Sequence, residues 1–145
     1  MLKAKLGKYL LGGQVTYHMI VKGIPVSIQS SSRSKNAWKS KVANEARAKF
    51  TTPLVDNDLK VRITIFYNGV PTYDSNNMSK PICDAMCGIA YNDDRQIMEQ
   101  TIRMKSLDGS YKIKGVPLEL AVAMCEGADF VWIEISKVGS EVENL

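Results

Sequence analysis

Apolar and polar residues alternate between positions 59 and 67, with an exception at Phe66, and this alternation is the clearest structural pattern in the chain. Successive side chains of a β-strand point to opposite faces, so a period of two predicts a strand with one buried face. Shorter apolar runs predict three further strands, at residues 15–21, 98–104 and 130–138. The residues on the buried face of the first strand are Leu59, Val61, Ile63, Ile65 and Tyr67.

A period of about four residues replaces this alternation between positions 35 and 50 and predicts a helix with one buried stripe. A polar run with four serines, residues 29–34, precedes the helix and is expected to form an exposed loop. Thr51-Thr52-Pro53 ends the helix, because proline cannot continue it. The residues of the buried stripe are Trp38, Val42, Ala46 and Phe50.

Two further helices are predicted from weaker patterns. Residues 77–87 carry apolar side chains at helical spacing and are followed by Gly88, a common residue type just beyond a helix end. Residues 117–126 begin with a proline, which suits the first turn of a helix. Strands and helices interleave without a regular βαβ order, which indicates an α+β or an irregular α/β architecture, and we expect α+β. The expected fold is a single domain over residues 1–145, with a mixed β-sheet and two to three helices.

The composition is that of an ordinary globular domain, with 45% hydrophobic and 23% charged residues in a chain of 145. A net charge of +4 weakly favours a polyanionic partner, although a plain solvated surface explains it equally well. No segment approaches the ~18 apolar residues of a membrane span. Residues 1–13 are basic, but their apolar run is too short for a signal peptide. We therefore expect an intracellular, cytoplasmic protein without a membrane partner.

The cysteines and the single histidine are expected to be structural. Cys83, Cys87 and Cys125 form no disulfide-like framework, which fits a reducing compartment. Cys83 and Cys87 are one helical turn apart, a spacing that metal sites also use. Because no histidine or further cysteine lies near them in sequence, we expect thiols of the core. His18 sits in an apolar stretch, which favours a structural role over catalysis.

Polar residues concentrate at the junction before the second helix, and apolar periodicity does not explain them. Asp74 and Asn76 are two residues apart, so an extended backbone points both side chains the same way. Lys80 follows on the helix, and Asp93-Asp94 lies beyond it. Mg²⁺ needs convergent oxygen ligands, and phosphodiester cleavage uses such ions. The alternative is that Asn76 or Asn77 merely caps the helix and Asp93-Asp94 forms an ordinary turn.

Residues 74–97 resemble the signature of the RusA family of Holliday-junction endonucleases. That signature reads D-x-D-N, then a lysine three residues on, then D-A-L-x-G, and finally D-D-x-Q followed by valine or isoleucine. Looser similarity covers residues 23–29, Trp38-Lys39 and residues 117–135. The resemblance therefore extends over most of the chain, from about residue 17 to residue 138.

The resemblance implies a RusA-like fold and a Mg²⁺-dependent crossover junction endodeoxyribonuclease, with Mn²⁺ as an alternative ion. Such an enzyme resolves four-way (Holliday) junctions in DNA recombination and repair by paired symmetric nicks. Its implied partners are branched DNA and a second copy of the chain in a homodimer. The family also suggests a bacterial, phage or prophage origin.

The resemblance also implies roles for individual residues. Asp74, Asn76 and Asp94 occupy the positions of the metal ligands, and Asp74, Asp94 and Lys80 are the implied catalytic residues. Lys80 would contact the phosphate or offset the charge that develops on it. Asp84 and Asp93 match the signature, but they are less firmly tied to catalysis.

One position departs from the family signature, because Asn76 stands where the second metal-binding aspartate is expected. An amide oxygen can still bind a cation, but the site loses one negative charge. Three explanations remain open: a deliberately inactivated variant, a natural variant with weaker metal affinity, and a degenerate member that binds junctions without cutting them. A single change in an otherwise intact motif fits the first two better than broad decay does.

Basic residues cluster around the serine-rich loop and the first helix, where the resemblance makes them candidates for DNA contact. Backbone phosphates supply most sequence-independent affinity for DNA. A run of charge on a helix is otherwise usually a solvated face. Arg62, Arg103 and Lys105 on the strands could extend the surface. The DNA-binding candidates are Arg33, Lys35, Lys39, Lys41 and Arg47.

Two other classes of function remain open besides the endonuclease. The chain could be a non-catalytic DNA-binding module that keeps the same fold, or a small-molecule or scaffolding domain. The sequence has no glycine-rich phosphate loop or nucleophile elbow to support the last class.

Overall fold

A computed structural model of the protein describes residues 8–11, 14–71, 77–109 and 115–139. A short 3-10 helix, Asp94–Gln96, precedes the fourth strand. The helices and strands in chain order are β1 (Lys8–Leu11), β2 (Gln14–Lys22), α1 (Ser32–Lys49), β3 (Leu59–Tyr67), α2 (Ser79–Met86), β4 (Ile97–Ser106), α3 (Leu118–Glu126) and β5 (Phe130–Lys137).

The five strands form one mixed sheet in the order β1-β2-β5-β3-β4. β3 and β4 are parallel, and α2 connects them, whereas the other neighbours pair antiparallel. This arrangement confirms the predicted α+β class with a mixed sheet and three helices. β4 lies at one edge of the sheet, so one side of its backbone faces away from the other strands. The alternating pattern at 59–67 coincides with β3, and its odd-numbered positions up to Ile65 are fully buried as predicted.

The helices cover opposite faces of the sheet. α1 and α2 pack on the face that carries the odd-numbered residues of β3, such as Ile63, together with Ile133 of β5. α3 packs on the other face, where Leu120 and Ala123 meet Phe130 and Trp132. Because α1 and α2 lie on one face, the connection from β2 to β3 and the connection from β3 to β4 run over the same side of the sheet.

The sequence patterns miss one strand, and they predict one loop that is longer than observed. The apolar patch before Gly12 is a strand, β1, which pairs with the start of β2. Its four residues are too few to show an alternating pattern. The serine-rich run at residues 29–34 is not all loop, because α1 begins at Ser32. Ser31 caps it by accepting a hydrogen bond from the Ser34 amide at 3.2 Å, a favoured arrangement for serine at this position.

The three cysteines are unpaired, and their surroundings differ. Cys83 is buried among core residues, as predicted, but Cys87 is exposed, so the prediction that both are core thiols is wrong for Cys87. α2 ends at Met86, and the backbone turns outward there toward Gly88, which has a φ of +88°. Within the described ranges, no helix is long and apolar enough to cross a membrane.

His18 is buried beneath α3, in agreement with its predicted structural role. Its Nε2 contacts the Glu119 carboxylate, and its ring lies 4.7 Å from the ring of Trp132. Burial lowers the pKa of His18, and the nearby Glu119 only partly opposes this effect. Glu119 also lies 3.8 Å from the Lys49 ammonium and is partly exposed. Both features weaken the stabilisation that Glu119 gives to a protonated imidazole.

The stability of the fold is therefore expected to decrease as the pH falls below the ordinary His pKa of 6.5. Between the lowered folded-state pKa and 6.5, the unfolded chain binds a proton that the folded chain does not, so acid favours unfolding. Urea unfolding should give a lower free energy of unfolding at about pH 5.5 than at about pH 7.5 for the parent protein. This decrease should be smaller for His18→Gln. His18 is the only histidine, so an equal loss in both proteins would contradict this assignment.

Candidate active site

α2 positions two charged side chains on its exposed side, next to the edge strand β4. Lys80 and Asp84 are four residues apart and form an ion pair at 3.2 Å. Pro81 is the third residue of α2, so it lies in the first turn, where its missing amide proton costs no helical hydrogen bond. The N-cap residue is Met78, with no side-chain cap bond. The alternative in which Asn77 caps this helix is therefore wrong.

A groove of about 290 Å³ runs between α2 and the beginning of β4, and it contains most of the predicted chemistry that the structure describes. Lys80 and Asp84 line it from α2, and Asp94 lines it from the 3-10 helix. The structure thus brings together residues that are 14 positions apart in sequence, as the predicted site requires. Asp74 and Asn76 lie outside the described residues. The other lining residues are Ser79, Cys83, Ile97, Met98, Glu99 and Gln100.

The two neighbouring aspartates before β4 have different environments. Asp93 is the N-cap of the 3-10 helix, where its carboxylate accepts a hydrogen bond from the Arg95 amide at 2.9 Å and pairs with the Arg95 guanidinium at 3.1 Å. These bonds to Arg95 lower the pKa of Asp93 to about 2. Asp94 is the first residue of the 3-10 helix and faces the groove. Asp93 therefore builds the turn, and Asp94 is the member of the pair that is available to a ligand in the groove.

Gln96 anchors this turn and is not among the predicted site residues. Its side chain is buried, and its amide group donates to the carbonyl oxygens of Leu54 and Asp56, both at 2.8 Å. Its carbonyl oxygen accepts from the amides of Asn92 at 2.7 Å and Asp93 at 3.0 Å. Asp93 and Gln96 form a capping box, and their D-x-x-Q spacing is the sequence signal that could have identified it.

Asp84 connects the groove to helix α1. Its carboxylate lies 4.0 Å from the Lys39 ammonium in addition to its pair with Lys80. A second groove of about 330 Å³ lies between α1 and α2, on the other side of this ion-pair cluster. Lys35 and Lys39 line the second groove together with Lys80 and Asp84. Two of the predicted DNA-binding lysines are thus joined to the candidate active site by one continuous charged surface.

The remaining basic candidates on α1 lie elsewhere. Lys41 lies on the opposite side of α1, over the Trp38 ring at 5.9 Å, in a groove that Glu45 and Glu126 also line. Arg47 is exposed and donates to the Asn44 side chain at 3.1 Å. Arg33 is exposed in the first turn of α1.

The basic strand residues form a separate group on the sheet face that α3 partly covers. The β3–β4 register places Arg62 beside Thr101 and Thr64 beside Arg103, on the side opposite the buried Ile63. Arg103 donates to the Thr64 hydroxyl at 3.0 Å. Lys105 shares this face by the alternation of β4. These residues are separated from the candidate active site by the thickness of the sheet.

The donor chemistry of the groove suits a hard cation such as Mg²⁺. Its carboxylates offer oxygen ligands, and magnesium sites typically combine one or two carboxylates with water. Cys83 is the sulfur ligand available in the lining, but burial raises its pKa to about 11, so it is a neutral thiol at physiological pH. Among the residues that the structure describes, no three His, Cys, Asp or Glu side chains form a metal-binding group. Asp74 and Asn76, the other predicted ligands, lie outside these residues.

Comparison with known proteins identifies the family. The sequence model described as endodeoxyribonuclease RusA matches residues 22–115, which is more than half of the 145 residues. The matched range includes α1, α2, the 3-10 helix and β4, and hence both grooves. No curated protein matches the chain at a significant level. The chain belongs to the RusA family of endodeoxyribonucleases.

Proposed function

We propose that this protein is a Mg²⁺-dependent endonuclease that cuts four-way DNA junctions. The observation that carries the proposal is that Lys80 and Asp94 both line one groove at the edge of the sheet. A cation and a carboxylate in this arrangement suit the two requirements of phosphodiester cleavage, which are binding of a metal ion and stabilisation of phosphate charge. Family membership supports a nuclease activity for the same groove.

Asp74, Asn76 and Asp94 are the residues that would hold the metal ion. When bound, Mg²⁺ or Mn²⁺ supplies a nucleophilic water and stabilises the leaving oxygen. Lys80 carries an ammonium group at the rim of the groove, where its side chain is 67% exposed and can reach a phosphate. We propose that it moves from its ion pair with Asp84 to the phosphate that is cut. Asp84 would then remain paired with Lys39.

Asn76 makes the site less negative than three aspartates would. A neutral amide oxygen attracts a divalent cation less strongly than a carboxylate does, so higher concentrations of Mg²⁺ would be needed. We therefore propose a weakened enzyme, in which junction binding is retained and cleavage is slow. This weakening does not affect the surface of α1, so DNA affinity and activity can be measured separately.

The surface formed by Lys35, Lys39 and Lys80 is the proposed contact for the DNA backbone. Lys35 is fixed by donating to the Ile28 carbonyl at 3.1 Å, and Lys39 is close to Asp84. A strand whose phosphate lies in the active-site groove could continue over α2 into the second groove. Arg33, in the exposed first turn of α1, could extend this path, whereas Lys41 and Arg47 point elsewhere and are secondary candidates.

Replacing both Lys35 and Lys39 by alanine is expected to reduce the salt dependence of junction binding. Each lost phosphate contact lowers the slope of log K against log salt by about 0.9, so the double variant should lose about 2 in slope. Binding isotherms at several salt concentrations measure this slope. The matched control is Lys41→Ala with Arg47→Ala on the same helix, and an equal loss in the control would refute the proposed surface.

We also propose that the protein acts as a homodimer that nicks two strands symmetrically. A four-way junction with two-fold symmetry is matched by an assembly with the same symmetry, in which each copy presents one groove. The proposed origin is bacterial or from a phage, with action inside the cell. Sedimentation of the complex should give two chains per junction, whereas one chain per junction would exclude paired cutting.

The second candidate is a non-catalytic junction-binding protein with the same fold, and Asn76 is the residue that favours it. A direct assay separates the two candidates: the chain is incubated with a four-way junction or a linear duplex of the same sequence, with Mg²⁺ or EDTA. Slow nicking that is specific to the junction and stopped by EDTA supports the enzyme. Tight junction binding without any nicking supports the second candidate.

A further inference from the structure

We propose that Gln96 is a positioning residue that fixes the carboxylate of Asp94 in the groove. This inference rests on the proposed function, because it concerns how the metal-binding site is held in place. Gln96 does not line the groove itself, so it would act through Asp94. It is the last residue of the 3-10 helix whose first residue is Asp94, two positions earlier.

The side chain of Gln96 uses its full bonding capacity. An amide side chain has two N–H donors and a carbonyl oxygen with two lone pairs. Here both donors are directed to the backbone carbonyls of Leu54 and Asp56, and the oxygen accepts two backbone amides. The residue is only 6% exposed, so water cannot easily replace these partners. Each lost bond would therefore leave a buried polar group unsatisfied.

These bonds join two segments that are distant in sequence. The carbonyls belong to the segment between α1 and β3, which also donates from the Leu54 amide to the Ala90 carbonyl at 2.8 Å. The amides belong to Asn92 and Asp93, the residues just before Asp94. The turn carrying Asp94 is therefore clamped from both sides, to the following residues through the capping box and to the α1–β3 segment through the Gln96 amide.

A residue with only donors, only acceptors or no polar atoms cannot replace this clamp. Gln96→Leu removes all four hydrogen bonds and keeps a side chain of similar size. Gln96→Glu keeps an acceptor for Asn92 and Asp93 but directs a carboxylate oxygen toward the two carbonyls. We therefore expect Gln96→Leu to disturb the position of Asp94 more than Gln96→Glu does. Substitutions of partners beyond the metal ligands typically change metal affinity by about 10–100-fold.

Two measurements on the full chain test the proposal. Hydrogen exchange reports whether the Asn92 and Asp93 amides lose protection, and titration with Mn²⁺ alone reports the affinity of the site without requiring cleavage. The matched control is Ile133→Ala, which creates a cavity in the core at a buried residue of β5 that does not line the groove. It destabilises the fold generally, so all comparisons are made under conditions where each protein is folded.

We expect Gln96→Leu to lose protection at both amides and to bind Mn²⁺ at least about 10-fold more weakly, while Ile133→Ala retains both properties. If the leucine variant does not fold, Gln96→Glu carries the test, with weaker Mn²⁺ binding and retained amide protection expected. Unchanged Mn²⁺ affinity in the folded Gln96 variants overturns the positioning role alone. No Mn²⁺ binding by the parent chain overturns the metal site of the proposed function, and this inference with it.

Discussion

Asp94→Asn is expected to lower the rate of junction cleavage by at least about 100-fold while changing junction affinity by less than about twofold. The parent for this measurement is Asn76→Asp, which restores the expected aspartate and gives a rate high enough to measure a large loss. Asp94 faces the groove, whereas the proposed phosphate-binding surface lies on α1 and α2. Removing its charge should therefore affect metal binding and catalysis without removing the contacts that bind DNA.

Two control variants make this prediction specific to Asp94. Asp58→Asn removes an exposed carboxylate that pairs with Lys137 at 3.9 Å outside the groove, and it should leave the cleavage rate unchanged. Asp93→Asn should have a smaller effect than Asp94→Asn, because an asparagine can still cap the 3-10 helix. A larger loss for Asp93→Asn would mean that the two aspartates have the opposite roles.

Lys80→Met is expected to lower the maximal cleavage rate by about 100-fold, with a smaller effect on the affinity for the junction. The substitution keeps an unbranched side chain of four heavy atoms but removes the ammonium group. A charge that acts on the phosphate during cleavage stabilises the transition state more than the bound substrate, so kcat should decrease more than KM increases. Single-turnover cleavage with saturating protein measures this effect on the same Asn76→Asp parent.

Lys22→Met is the matched control for Lys80→Met. Both lysines are 67% exposed, and each pairs with a carboxylate, Glu126 at 3.0 Å for Lys22 and Asp84 at 3.2 Å for Lys80. Exposed ion pairs contribute little to stability, so neither substitution should unfold the protein. Equal cleavage by both variants would remove Lys80 from the active site, and a loss confined to DNA affinity would make it a binding residue only.

The sequence predicts most of the fold because its elements are long and strongly patterned. β3 and α1 have nine and 18 residues, enough to show a period of two or of nearly four. β1 is not predicted, because its four residues are too few to show a period and it forms by pairing with β2. The prediction that Cys87 is buried is wrong because its helical spacing from Cys83 cannot show that α2 ends one residue before it.

The candidate site is predictable only where it depends on local sequence. The resemblance to the family signature implies that Lys80 and Asp94 belong to one site, and the groove contains both, together with Asp84. The role of Gln96 is less visible, because half of its hydrogen bonds reach a segment about 40 residues earlier. The basic residues of α1 are adjacent in sequence, but helical geometry sends Lys39 and Lys41 to opposite sides of the helix.

The most direct measurement is a paired cleavage assay of the protein and of its Asn76→Asp variant on the same four-way junction, with Mg²⁺ and then with EDTA. We expect the variant to make Mg²⁺-dependent paired nicks much faster than the parent, to stop in EDTA and to bind the junction with similar affinity. An Asn76→Asp variant that binds the junction but shows no Mg²⁺-dependent nicking would contradict the proposal that this groove is a metal-dependent nuclease site.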